Sequence, residues 1–327
     1  GDPNKNGLAS AAAVDRDLDG AADTIYAGDL QGNMWKIDVS DTDPTKWTPA
    51  FGSASSPLPL FASQYTDNNG TDITQPITTG VEVSPHPNRG YMVMFGTGSF
   101  INSSDNLGPF KIDSVYGIWD KEDLAKTRVT SRSQLQRQKI IDTTTQNGNE
   151  YLFMSACRPN FTDANAVSNE TPGLCPADIA NTVPQLGWLF DLPDSGERTA
   201  SEAPFVQGGI LTFTTLTPAD DPCSGNIVGR LYYLNYLTGG AAPSGVFDLN
   251  SDARIDQSDK FDIGSLGYIA PSGVKTDGSM GNPVRFFKRH PAADGSGSGS
   301  GSGSNSSTHA CADFVPGWGC LSTLAAQ

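Results

Sequence analysis

The sequence predicts an all-β fold of the modified β-propeller type, with long loop insertions and few short helices, and three observations predict it. Asp outnumbers Glu by 30 to 6, and Asp favours turns and caps where Glu favours helices. The 36 Gly and 22 Pro punctuate strands without dissolving the core, because 37% of the chain is hydrophobic. Short β-rich runs, each bounded by Gly, Asp or Asn, recur along the chain.

In order, those runs are 24–28, 33–39, 90–98, 114–120, 187–192, 208–216 and 229–237. Several end alike: Trp35-Lys36-Ile37-Asp38, Ile118-Trp119-Asp120, Trp188-Leu189-Phe190-Asp191 and Tyr233-Leu234-Asn235. Each offers an aromatic or aliphatic stretch and then Asp or Asn where the strand must turn. The steps from Asp38 to Asp120, Asp191 and Asn235 are 82, 71 and 44 residues. Such degenerate repeats are what propeller blades look like when loops have grown unequally. A β-sandwich of unrelated hairpins is the alternative. Helix formers cluster only between Lys121 and Lys139, which predicts two short surface helices. Residues 147–184, rich in Asn, Thr and Pro, read as a long loop stapled by a disulfide.

The net charge of −15, from 21 basic and 36 acidic side chains, disfavours a nucleic-acid backbone binder. No stretch reaches the ~20 apolar residues of a membrane span. Gly1 to Gly7 has neither Met nor a signal-peptide core, so a fragment or processed product is expected. The five cysteines form no CxxC pair, which leaves disulfides in an oxidising compartment as the leading use. Cys157 with Cys175 and Cys311 with Cys320 close short loops, and Cys223 is odd. Three regions follow: the propeller region 1–292, a Gly/Ser linker 293–304 of engineered type, and a short disulfide-closed tail 305–327.

The sharpest chemical signal lies at Asp248, Asn250, Asp252 and Asp256, loop positions 1, 3, 5 and 9, with Asp259 at position 12. Alternation turns these oxygens toward one centre, the Arg254 carbonyl supplies position 7, and carboxylates this dense repel one another unless a cation such as Ca²⁺ neutralises them. Ala253 stands where Gly is usual, and Asp259 is shorter than the expected Glu. A weaker second loop offers Asp15, Asp17, Asp19, Ala21 through its carbonyl, and Asp23, with Gly20 at position 6 but Tyr26 at position 12. Asp-rich turns without an ion are the alternative for both. Enzyme signatures are scarce: His86, His290 and His309 lie far apart and read as surface residues, and Gly96-Thr97-Gly98-Ser99 reads as a β-turn.

The run 23–39, Asp-Thr-Ile-Tyr-Ala-Gly-Asp-Leu-Gln-Gly-Asn-Met-Trp-Lys-Ile-Asp-Val, resembles a signature of the type IV pilus tip-associated PilY/PilC family. Resemblance continues at 187–198, at 208–216 with Asp221-Pro222-Cys223, and at 246–250, covering most of residues 8–290. It implies a modified β-propeller with one loop-bound calcium on Asp248, Asn250, Asp252, Arg254 and Asp256. That family's propeller is longer, so an incomplete, truncated ring is expected. The resemblance further implies a non-enzymatic pilus biogenesis and adhesion module at the pilus tip, working with minor pilins and host or surface receptors. Its location would be periplasm to cell surface, outer-membrane associated, with calcium setting extension against retraction. A quinoprotein-like propeller dehydrogenase and a dockerin-like calcium-dependent binding module are the alternatives. The adjacent-cysteine ring of the former and the loop-helix repeat of the latter are missing.

Overall fold

The computed structural model describes residues 6–146, 148–161, 174–180, 184–199, 203–218, 228–242, 244–250, 252 and 254–276. The described residues all lie within the compact unit 1–281. Cys223, Cys311, Cys320, His290, His309 and the Gly/Ser linker fall outside them.

Three sheets carry the fold, each built on an antiparallel meander as in a propeller blade. In the first, Ala12–Val14, Thr24–Gly28 and Asn33–Asp38 pair in sequence order, and Thr48–Pro49 and Phe61–Ala62 share the far edge. The second runs Glu82–Pro85, Tyr91–Gly96, Ser114–Asp120, Gly187–Asp191. In the third, Phe205–Gln207, Ile210–Thr217, Val228–Asn235 and Gly273–Thr276 form the meander. Insertions lengthen two of these blades. Gln136–Gln138 adds in parallel to Gly187–Asp191, and the hairpin Ile140–Gln146/Asn149–Met154 extends the third sheet beyond Gly273–Thr276.

Side-chain alternation explains how the sheets stack. In the second sheet Val93, Phe95, Tyr116, Ile118 and Leu189 join Tyr26, Met34 and Phe61 of the first. Met92, Met94, Val115, Trp119, Trp188 and Phe190 turn the other way, to Leu152, Met154, Leu211, Phe213 and Tyr232 of the third. With both faces covered, every residue of Ser114–Asp120 is buried. Each large side chain so removed from water contributes roughly 1.5–3 kcal/mol. A two-layer sandwich does not describe this arrangement. Trp188 is closely packed by two glycines. A Cβ on Gly117 would lie 2.3 Å from its ring and one on Gly239, at φ +67°, 2.2 Å, while its Nε1–H donates to the Tyr236 carbonyl at 2.9 Å.

All seven sequence-predicted runs contain strands. The helices expected between 121 and 139 do not form: the segment holds one 3₁₀ turn, Arg132–Gln134, and then the strand Gln136–Gln138. Gln136 and Gln138 are buried, and their amides are used up on the carbonyls of Arg137, Ile179, Cys157 and Thr238, so tertiary partners override helix propensity. The expected loop 147–184 begins instead with the strand Asn149–Met154 and is then stapled, as expected, by Cys157–Cys175. Among the described residues no helix is long and apolar enough to cross a membrane.

Candidate metal centre

The 248–259 loop lies in the connection between Val228–Asn235 and Gly273–Thr276, which are neighbours in the third sheet. The aromatic residues on either side of it hold it to that sheet. Phe247 packs edge-on against Tyr151 (5.9 Å) and Tyr233 (5.2 Å), and Phe261 meets Tyr151 (5.5 Å) and Phe153 (5.6 Å). Asp259, buried, draws the two ends together: Oδ1 accepts from Leu249 N at 2.7 Å and Oδ2 from Asp256 N at 2.8 Å.

Between those ends the backbone curls around the early oxygens. Asp252 N donates to Asp248 Oδ1 (3.2 Å) and Asn250 Oδ1 (3.0 Å), and Arg254 N donates to Asp252 Oδ1 (2.8 Å). Positions 1, 3 and 5 therefore share one turn, as their spacing predicts. Position 9 is linked to them through Ser258: Asn250 Nδ2 donates to Ser258 Oγ at 2.9 Å, and Asp256 Oδ1 accepts from Ser258 N and Oγ, bonds that hold its carboxyl below the usual range. Both Asp259 oxygens are engaged by backbone donors, so Asp259 acts as the clasp of the loop. Ala253 lies outside the described residues. The available donors are all hard oxygens, which fits Ca²⁺ and does not fit a softer metal.

In the second loop Asp15, Asp17 and Asp19 bring carboxylate oxygens within 4.8 Å of one another. Asp15 accepts from Leu18 N (2.7 Å) and Gly20 N (2.8 Å), and Asp19 from Ala21 N (2.8 Å). Gly20 sits at φ +94°, where a side chain would be strained. Asp23 turns away to accept from Arg16 N at 2.7 Å. Tyr26, at the twelfth position, is buried and donates to Asp120 Oδ2 at 2.6 Å. This loop, weaker in sequence, has the closer approach of carboxylates.

Sequence reading missed a charged relay between the first two sheets. Arg16 Nη1 reaches Glu122 Oε2 at 3.2 Å, and Lys36 Nζ bridges Glu122 and Asp120 at 2.6 Å each. Burial works against Glu122 ionising, but Lys36 and Arg16 outweigh it and lower its pKa. These groups line a cavity of about 170 Å³ with Asp38 and Lys126. The repeated strand-ending Asp was the available signal. Asp120 serves this relay, and Asp191 accepts from Ser114, Arg132 and Arg137. His86 corrects a second expectation: it is buried, stacked on Trp119 at 4.2 Å and edge-on to Phe161 at 4.7 Å.

A second buried relay sits in the third sheet. Glu197 accepts from Thr215 Oγ1 (2.6 Å) and Tyr232 OH (3.0 Å), and Arg230 Nη1 reaches Glu197 (2.7 Å) and Asp194 (2.6 Å).

Comparison with known proteins gives one consistent result. The family model described as the PilY1 beta-propeller domain matches residues 1–158. A type IV pilus biogenesis factor PilY1 homolog of Xylella fastidiosa strain Temecula1 is 30% identical over 243 residues, 72% of this chain and 14% of that protein. The type IV pilus biogenesis factor PilY1 of Pseudomonas aeruginosa strain UCBPP-PA14 is 30% identical over 298 residues, 82% of this chain and 25% of that protein. The crystal structure of the Pseudomonas aeruginosa PilY1 C-terminal domain superposes with a TM-score of 0.65 at 26% identity, covering 84% of this chain and 56% of that one. The chain thus spans a quarter or less of these curated relatives' length.

Proposed function

Since the chain belongs to the PilY1 β-propeller family, we propose that it is a calcium-binding, non-enzymatic module of type IV pilus biogenesis and adhesion. It acts at the pilus tip, outside the cytoplasmic membrane, with minor pilins as assembly partners and host or surface receptors as adhesion partners. Calcium occupancy sets extension against retraction.

One observation carries the calcium part: oxygens of Asp248, Asn250 and Asp252 gathered by one turn whose ends are clasped by buried Asp259. Asp248, Asn250 and Asp252 would hold the ion, with Arg254 through its carbonyl and Asp256 completing the set after turning from Ser258. Asp15, Asp17 and Asp19 are the ligands of a second site. Bound calcium supplies charge neutralisation and cross-linking. The protein's part is to fix the loop on the third sheet, so that ion binding stiffens one region of surface and changes its affinity for a partner. The pilus part rests on the kinship of the chain, and the partner surfaces follow from that role.

Calcium added to chelated protein should raise Tm, and Asp252→Ala should remove most of that rise. In calcium, immobilised protein should retain minor pilins that EGTA releases. Absence of any calcium-dependent Tm shift in the unaltered chain would defeat the calcium reading. Equal pilin retention in both buffers would defeat calcium control.

A further inference from the structure

The outer face of the third sheet is aromatic. Leu152, Met154, Tyr232 and Leu234 point into the core shared with the second sheet, so the alternate residues Tyr151, Phe153 and Tyr233 point the other way. A face of this kind should be wet unless something covers it, yet Phe153 is only 1% exposed. Its cover is the long connection that holds the candidate calcium loop: Phe261 lies over Phe153 and Tyr151, and Phe247 over Tyr151 and Tyr233.

The cover is organised largely within itself. Phe261–Asp262 pairs with Tyr268–Ile269, Ile263 N donates to the Gly267 carbonyl, and Asp259 ties Leu249 to Asp256. Its aromatic contacts with the sheet, among the described residues, are made by Phe247 and Phe261, which flank the loop. Residues 248–262 contain five Asp against Arg254 and Lys260, a local net charge of 2 − 5 = −3. Without a cation, mutual repulsion opposes the tight curvature that sets the two rings at their spacing.

We propose that residues 244–270 are a flap over the aromatic face of the third sheet, and that a divalent cation in the 248–259 loop is the latch that keeps it down. The inference rests on the calcium reading of that loop and adds its structural consequence. Filling the loop fixes the separation of Phe247 and Phe261, keeps Phe153 buried and partly covers Tyr151 and Tyr233. Emptying it releases the rings and exposes an apolar surface on one blade. Linkage makes the coupling reciprocal, so weakening the ring contacts must weaken the ion.

Hydrogen exchange on the full chain, in calcium and in EGTA, reads the flap directly. Peptides spanning 149–154 and 228–235 should exchange faster in EGTA, while those spanning 114–120 stay unchanged. Calorimetric titration should show calcium bound roughly three- to tenfold more weakly by Phe247→Ala, the loss expected when about one aromatic contact is coupled to the ion. Phe247→Leu, which keeps an apolar side chain, should fall between. Calcium binding with identical exchange in both buffers and unchanged affinity in Phe247→Ala would overturn the latch and leave the calcium site standing. No calcium heat in the unaltered chain would overturn the site and the latch together.

Discussion

Replacing Asp113 by Asn should make the protein more stable at neutral pH and leave it nearly unchanged in acid. Asp113 is buried beside the second sheet, and its Oδ1 accepts from Thr97 Oγ1 at 2.9 Å. Burial pushes its carboxyl up to about 6 from an ordinary 3.8, against the opposing pull of the Thr97 bond and of Arg198 and Lys111. Below the unfolded value both folded and unfolded chains carry the proton, so the group exerts no pH effect. Between the two values the unfolded chain ionises first. The stability that the neutral carboxyl provides is lost progressively and is gone above the folded value. A shift of about two units corresponds to roughly 3 kcal/mol at pH 7.5. Asn keeps the acceptor for Thr97 and never ionises. Chemical denaturation of both proteins from pH 4 to 7.5 should therefore show a stability difference that opens from near zero to roughly 3 kcal/mol in favour of Asp113→Asn. Taking the difference cancels the other carboxylates, several of which, Glu122 and Asp191 among them, are lowered and act in the opposite direction. A constant difference across that range would show that Asp113 does not titrate abnormally, and the burial argument would fall.

Gly117→Ala places a methyl group 2.3 Å from the Trp188 ring, which Gly239 also approaches closely. The expected cost is roughly 1–3 kcal/mol, read as a lower urea midpoint with an unchanged slope. Glu197→Gln leaves Arg230 buried without its full counter-charge, and a loss of roughly 3–5 kcal/mol is expected. Reversing the sequence of events tests the cause: Glu197→Gln combined with Arg230→Met should recover part of that loss, and a double variant worse than the sum of the singles would contradict the pairing.

The blades were legible because their physical cause is local. An aromatic-aliphatic run closed by Asp or Gly makes a strand wherever it occurs, and Asn33–Asp38, Ser114–Asp120 and Gly187–Asp191 all follow that rule. The gathering of Asp248, Asn250 and Asp252 in one turn was legible for a similar reason, since spacing along one loop fixes which side chains can meet, while the engagement of Asp256 with Ser258 and of Asp259 with the loop backbone was not. Strand Asn149–Met154 was not, because its Tyr-Leu-Phe-Met alternation lay in a stretch dominated by turn residues, and its sheet partners come from residues 140–146 and 273–276.

By itself the sequence determined that the chain forms strands with acid-rich turns, where one disulfide would close, and which oxygens could face a common centre. Only the tertiary structure decided that Asp259 clasps the loop, that Phe247 and Phe261 seat it on an aromatic face, and that Asp120 and Glu122 join two sheets through Lys36 and Arg16. Apart from the Asp259 clasp, which closes within its own loop, those contacts join residues far apart in the chain, and a side chain's composition and spacing carry no record of which distant partner will neutralise or cover it.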